Sequence, residues 1–470
     1  MNDPSVRSLA IVGGGISGLS AAYRVKQLRP SVRVTIYDTR PRLGGVIDTS
    51  CRDGFLVERS ADMFTTREPW ALDLCEDIGL SDELIGTNPQ FRRAFVIFRG
   101  RLVPVPAGFT LMSPARIWPI LRTPLLSWAG KIRLASEYFR GRKQDDADES
   151  LADFAVRRFG REAYQRLIQP LIGGIYTADP HKLSMNATMS QFVEMEREHG
   201  SLIRGMRAQG KNSTASGTSG ARYGMFVAPR NGLRQLVERL QQKLADTTIR
   251  TATEVQKLTY ADDQWQVAGE GFCDKFDAVV VAAPSFAAGR LLSGNDESLG
   301  SQLKAIPYAS AALVVVAFKR EQIAHQLNGF GFVAPQIEQR KILAGSFSSV
   351  KFAGRAPDAH VLIRVFVGGA MQGELVELED KPLQQLVVSE LRQLLTITGE
   401  PMWIELNRWR KTMPQYHVGH LERVAQIEKL AARLPRLALA GNAYRGVGIP
   451  FCVRSGTVAA ESVLDAGQGS

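Results

Sequence analysis

"IVGGGISGLS", residues 11 to 20, decides how this chain begins to fold. The apolar run 8–12 (SLAIV) enters Gly13-x-Gly15-x-x-Gly18, a helical stretch runs from about Ile16 to Leu28, and a β-branched run, 32–38 (VRVTIYD), follows. The pattern predicts strand, tight turn, helix and strand, a βαβ unit. The first glycine permits the turn, the second lets a pyrophosphate approach the backbone, and the third lets the helix pack on the strand, with Ala22 keeping that packing close. Phosphates would sit on the helix N-terminus, where unpaired amides and the helix dipole favour anions. Asp38, 20 residues beyond Gly18 at the end of the second run, is placed to accept hydrogen bonds from a ribose. The expectation is a dinucleotide site, and NAD and FAD share the fingerprint.

The rest of the composition narrows the class. A chain of 470 residues, 44% apolar and 22% charged, reads as a globular protein too long for one core. The polar start, residues 1–7, runs into only four apolar residues, 9–12, so no secretion signal is read there. The stretch "AIPYASAALVVVAF", 305–318, is shorter than the roughly 20 residues of a membrane span and reads as a buried strand. Cys51, Cys75, Cys273 and Cys452 form no CxxC pair, which suits a reduced cytoplasmic setting. His417 and His420 lack nearby Cys or carboxylate partners, so no metal site is expected.

Net charge is +11, and it is concentrated. Between Arg92 and Lys143 stand 11 Lys or Arg and a single acid, Glu137. The cations are interleaved with Trp118, Pro119, Leu121, Leu125, Leu126 and Trp128. That pattern suits an anionic membrane surface or a polyanionic small substrate better than nucleic acid, and a merely solvated basic face is the plain alternative.

Further along, 150–208 reads as helical, and "KNSTASGTSGARYG", 211–224, reads as a flexible connector. A helix is expected over 232–244 and a strand over 277–282. Successive apolar runs over 308–370 suggest a mixed sheet, with a helix over 383–395. The strand 437–441 leads through a glycine turn into a helix beginning near Val453. Both ends of the chain are therefore strand, glycine turn, helix, and they are expected to meet in one cofactor domain.

"RPRLGG", 40–45, decides between the nucleotides. Arg42 can neutralise pyrophosphate charge, and Gly44 and Gly45 permit a second close backbone approach. Together with GGGISGL, Asp38 and "DGFLVERSADMF" (53–64), this resembles the FAD-containing amine oxidase superfamily. "AGNAYRGVGIP" (440–450) is similar to that superfamily's second flavin segment, where a helix N-terminus faces the pyrimidine end. One departure is Ser60-Ala61, where the family commonly has Gly-Pro. Neither a second GxGxxG for a pyridine nucleotide nor a redox CxxC is seen. Within the superfamily, "PLLSWAGKIRLASEYF" (124–139), "LIGGIYTADPHKLS" (171–184), "HGSLIRGM" (199–206) and "MPQYHVGHLERV" (413–424) resemble the protoporphyrinogen and coproporphyrinogen oxidases of haem synthesis.

That resemblance implies an α/β fold: an FAD-binding Rossmann-like domain of the amine oxidase type, with an α+β substrate domain and a helical insertion. The FAD-binding domain would be discontinuous, over 1–90, 225–300 and 410–470, with a helical substrate- or membrane-facing part over 91–210 and a mixed-sheet substrate domain over 301–409. The implied reaction passes hydride from a porphyrinogen methylene bridge to flavin N5, in three rounds with reoxidation by molecular oxygen. The protein would mainly hold the tetrapyrrole against the flavin, so no catalytic side chain is expected.

By position, FAD contacts would come from Gly13, Gly14, Gly15, Ile16, Ser17 and Gly18, from Asp38 and Thr39, and from Arg42, Gly44, Gly45 and Val46. Ser60, Ala61, Asp62 and Met63, then Val255 near adenine, Trp409, and Val447, Gly448 and Ile449 complete the set. Leu171 and Gly174 would line the macrocycle pocket. The family's mitochondrial enzymes have an Arg where this chain has Ala94, so Arg92, Arg93 and Arg67 are the candidates for pairing propionates. Coproporphyrinogen III and protoporphyrinogen IX both fit. Peripheral contact with the inner face of the membrane and a homodimer are further implications. A flavin amine oxidase or carotenoid-type desaturase is the alternative enzyme, and a flavin-free escort of prenylated partners is the alternative outside enzymology.

Overall fold

A computed structural model describes residues 6–114, 117–210 and 225–465; the expected connector 211–224 lies outside them. Its organising element is a five-stranded parallel sheet. The strands are β1 (Ser8–Val12), β2 (Arg33–Tyr37), β3 (Thr248–Arg250), β4 (Ala278–Val281) and β5 (Leu437–Leu439), in the order β3-β2-β1-β4-β5. β1 and β4 are buried along their whole length, as central parallel strands covered on both faces must be. Leu9 and Ile11 face a layer built by α1 (Ile16–Leu28), α2 (Arg234–Lys243) and α3 (Ile449–Asp465). Ala10 and Val12 face the opposite way, onto Leu291, Leu299 and Ile427 from helices 285–292, 297–304 and 420–431. The two-residue period of β1 thus feeds two separate cores.

The two ends of the chain meet in the first of these layers. α3 lies on α1 so closely that a Cβ at Gly456 would collide with the Ser17 carbonyl. α3 begins at Ile449, a turn earlier than the expected start near Val453. Pro450, at the second helical position, lacks an N–H that would have no partner there and has its φ already set for a helix.

A second sheet has seven strands in the order 403–414, 308–319, 360–368, 344–347, 331–333, 95–98 and 101–104, antiparallel except between 331–333 and 95–98. Val314, Val316, Ile363 and Val365 pack against Leu383, Val387 and Leu391 of helix 380–395, while Leu313, Val315 and Leu362 cover Phe55 and Val57. Two segments differ from expectation. Residues 95–104, grouped with the largely helical part 91–210, form an edge hairpin of this sheet, because the β-branched and aromatic run FVIF turns at Arg99 and Gly100, both at positive φ. The strand 403–414 also carries residues 410–414 into this sheet rather than into the cofactor part.

Helices between 117 and 210 form a further core around Phe154, Phe159, Leu167 and Leu202. The buried Arg158 pairs with Glu137 and, at 3.3 Å, with Glu196. Glu137 also accepts the N–H groups of Leu202 and Ile203 at 2.8 and 3.1 Å, capping helix 202–210. Among the described residues no helix is long and apolar enough to cross a membrane.

Candidate cofactor and active site

The opening glycines are held as a cradle. Gly13 has φ +113°, and a Cβ there would strike the Ala282 carbonyl at the end of β4. A Cβ at Gly18 would strike the Gly13 carbonyl, so neither position tolerates a side chain. No side chain caps α1 and no acid stands in its first turn, so its N-terminal amides and dipole favour an anion. Asp38 is buried, accepting the Gly14 N–H on Oδ2 at 2.7 Å and the Arg40 N–H on Oδ1 at 2.8 Å. Each oxygen keeps a further lone pair, the capacity a ribose hydroxyl needs.

The second turn is laced to the first: the Gly44 N–H donates to the Gly14 carbonyl at 2.8 Å, and a Cβ at Gly45 would stand 3.1 Å from the Gly15 Cα. Arg42, the expected pyrophosphate partner, is held by groups of the protein itself. Its guanidinium is engaged by Asp48 at 3.3 Å and by the Ile47 carbonyl at 3.0 Å, an ion pair that a sequence cannot foresee. Arg40 instead reaches across the turn, donating to the Gly45 carbonyl at 2.6 Å with its guanidinium 5.4 Å from the Trp409 ring centre. Trp409 donates its indole N–H to the Arg59 carbonyl at 2.7 Å, so the predicted tryptophan stands beside both segments. Thr39 and Val46 are exposed at these turns. Val255 is buried with Tyr37, just past Thr253, whose N–H donates to the Asp38 carbonyl at 2.9 Å.

The segment 60–63 rests on a buried ionic cluster absent from the sequence reading. Asp62 lies 2.8 Å from both Lys351 Nζ and Arg364, Arg364 also donates to the Ser60 carbonyl, and the Ser60 hydroxyl donates to the Val46 carbonyl at 2.5 Å. Burial alone would raise the Asp62 pKa, but the two cations and their hydrogen bonds bring it well below the ordinary carboxylate range. Burial lowers the pKa of Lys351. Ala61 is exposed and Met63 half-buried. Glu58, two residues upstream of Ser60, accepts from the Thr49 hydroxyl at 2.7 Å and the Leu233 N–H at 2.8 Å, and burial lifts its pKa to about 7 despite those bonds.

The C-terminal turn arrives from the other side. Gly446 has φ +139°, Val447 packs against the helical core, and Ile449 opens α3, which has no acid in its first turn. The Cys452 thiol interacts with Ser17 in α1. Ser17 thereby touches α3 through both its backbone and its side chain, and the two glycine turns sit at neighbouring helix N-termini. That arrangement suits one elongated dinucleotide.

Leu171 and Gly174 lie on helix 169–176. A Cβ at Gly174 would be in ordinary contact with Val333 and Ala344, so this helix faces the large sheet across a cleft lined by Gly174, Ala334, Leu343 and Met371. Of the expected cations, Arg67 is solvated beside Glu68, Arg92 donates to the Thr87 carbonyl at 3.2 Å, and Arg93 is exposed. Arg92 and Arg93 precede strand 95–98, the neighbour of the strand that carries Val333. His420, weighed as a metal ligand, is stacked on Tyr416 and bonded to a carbonyl.

The signature of the flavin-containing amine oxidoreductases matches residues 16–464. The chain belongs to that family. The flavoprotein is 33% identical to the coproporphyrinogen III oxidase of Bacillus subtilis, over 97% of this chain and 98% of that one. It is 28% identical to protoporphyrinogen oxidase 2 of Arabidopsis thaliana, over 98% and 94% of the respective chains. A solved structure of an Exiguobacterium sp. 255-15 protein, provisionally named protoporphyrinogen oxidase, superposes with a TM-score of 0.88 at 32% identity, covering 97% of this chain and 98% of that one. The GxGxxG turn with an acid at the end of the second strand is the dinucleotide fingerprint, and the cofactor of this flavoprotein is FAD.

Sequence reasoning missed Arg40, Lys351 and Arg364. Arg40 stood inside the quoted "RPRLGG" and was legible as a second candidate. Lys351 and Arg364 carried no local signal.

Proposed function

We propose that this flavoprotein oxidises coproporphyrinogen III to coproporphyrin III, with molecular oxygen as the final acceptor. The observation that carries the reading is the end-to-end similarity to the Bacillus subtilis coproporphyrinogen III oxidase, on a scaffold whose two glycine turns meet. Bound FAD supplies the two-electron acceptor, and the protein's own side chains bind and orient. Gly13 to Gly18 with Asp38 would hold its adenosine diphosphate end, Gly44 to Val46 and Ser60 to Met63 would contribute further contacts, and Val447 to Ile449 would offer it the N-terminus of α3. Leu171 and Gly174 offer one apolar wall to a flat macrocycle. Arg92 and Arg93 are the cations proposed to pair propionates, since four carboxylates entering a partly apolar cleft need partners. Arg67, solvated and beside Glu68, has less to offer.

Parallel assays of coproporphyrinogen III and protoporphyrinogen IX, followed by porphyrin fluorescence under air and under argon, test the substrate and the acceptor together. The expected result is a kcat/KM at least about tenfold higher for coproporphyrinogen III, and no sustained turnover without oxygen. A preference for protoporphyrinogen IX overturns the substrate, sustained turnover under argon overturns the acceptor, and amine oxidation without porphyrin formation favours the amine oxidase alternative.

We also propose peripheral attachment to an anionic membrane through the helical unit. Trp118, Trp128, Ile132 and Phe139 are 72, 69, 68 and 85% exposed, among the cations of 92–143. Large apolar side chains left in water beside Arg and Lys suit a headgroup boundary.

A further inference from the structure

Tyr416 is buried, with its hydroxyl inside the protein. The hydroxyl donates to the Asn442 carbonyl at 2.6 Å and accepts the Gly446 N–H at 2.8 Å. One oxygen therefore closes the loop 442–446 from within, immediately before Val447. The Tyr416 ring stacks on His420, with centroids 3.9 Å apart and planes 13° from parallel. The His420 Nε2 lies 2.9 Å from the Tyr444 carbonyl, which can only accept, so Nε2 carries the proton and donates. The stacked pair thus holds three backbone groups of a single loop, those of Asn442, Tyr444 and Gly446.

The backbone around Tyr416 is tied to the segment 182–184, which follows the helix carrying Leu171 and Gly174. The Tyr416 carbonyl accepts the Ser184 N–H at 2.8 Å, the Val418 N–H donates to the Lys182 carbonyl at 2.8 Å, and Leu183 bridges His417. Its ring belongs to the same core as Leu171, against which Val447 also packs. The segment 182–184 and the C-terminal glycine turn are therefore tied to opposite sides of one residue.

We infer that Tyr416, braced by His420, is a positioning residue that sets the conformation of the 442–448 loop and hence the seat of the flavin. The inference rests on the proposal that Val447 to Ile449 face the flavin. Loss of the hydroxyl leaves the Gly446 N–H and the Asn442 carbonyl unpartnered, and the loop relaxes to solvate them.

Tyr416→Phe tests this alongside Gly446→Ala, which perturbs the loop directly because a Cβ there collides with Phe451 at φ +139°. Both holoenzymes are compared with wild type for FAD dissociation on dilution, read by flavin fluorescence, and for the position of the visible flavin bands; melting of each apoprotein reports stability separately. Tyr416→Phe is expected to raise the FAD dissociation constant about tenfold and to shift the bands, while the apoprotein melts within about 3 °C of wild type. Gly446→Ala is expected to weaken FAD binding as well. If only Gly446→Ala weakens binding and shifts the bands, the role of Tyr416 is overturned and the placement of the loop stands. If neither does, the loop does not face the flavin and both fall. A Tyr416→Phe apoprotein that melts much lower, with FAD affinity and spectrum unchanged once folded, overturns the inference in favour of a purely structural role.

Discussion

Asp62→Asn is the substitution whose consequence the structure defines most sharply. Asp62 is the shared partner of Lys351 and Arg364, whose side chains are 6% and 1% exposed, with both contacts at 2.8 Å. Removing the carboxylate charge leaves two buried cations facing one another, and an uncompensated buried charge costs on the order of 3–5 kcal/mol. Lys351→Met is expected to cost less, about 1–2 kcal/mol, because the Asp62–Arg364 pair survives intact. In the Asp62→Asn background the same Lys351→Met change removes a repulsion, so its sign should reverse and stability should rise. The coupling between the two positions then exceeds the cost of Lys351→Met alone, at about 2–3 kcal/mol. Urea denaturation of the four apoproteins at one pH measures it, with the folded baseline checked by near-ultraviolet circular dichroism. Should Lys351→Met destabilise equally in both backgrounds, or Asp62→Asn cost less than about 1 kcal/mol, the cluster does not hold together as charges.

Three further outcomes are expected. Gly18→Ala should abolish FAD retention, since its Cβ would meet the Gly13 carbonyl; a yellow holoenzyme with wild-type FAD content after gel filtration would contradict that. Glu58, lifted by burial from 4.5 to about 7, contributes stability that is whole below pH about 4.5 and is lost as pH rises through 7. Glu58→Gln should therefore flatten a loss of up to about 3 kcal/mol between pH 4.5 and 8, and an unchanged pH slope in denaturant titrations would show that Glu58 is not its source. Trp118→Ser with Trp128→Ser should reduce flotation with anionic liposomes at low salt several-fold, and equal flotation of wild type and variant would remove the membrane proposal.

The local geometry of the two glycine turns is legible in the sequence. The spacing of Gly13, Gly15 and Gly18, the placement of Asp38 and the glycine pair at 44 and 45 concern turns a few residues long, where steric permission is a local property of the chain. Four of the five parallel strands were readable for the same reason, as short apolar runs bounded by glycine or proline; the three-residue β3, 248–250, was not. The FVIF run at 95–98 has the residue types of a strand, but nothing local says which sheet it joins; its parallel pairing with residues 331–333 decides that.

Partnership across long separations is where local reading stops. Arg40 turns to Trp409, more than 360 residues away. Lys351 meets Asp62 from 289 residues away, and the loop that Tyr416 closes shows no local mark of needing it. The backbone can commit to a turn on the preferences of adjacent residues alone, but a buried charge or hydroxyl takes its meaning from whichever distant group packing brings to within 3 Å, and that choice belongs to the folded chain.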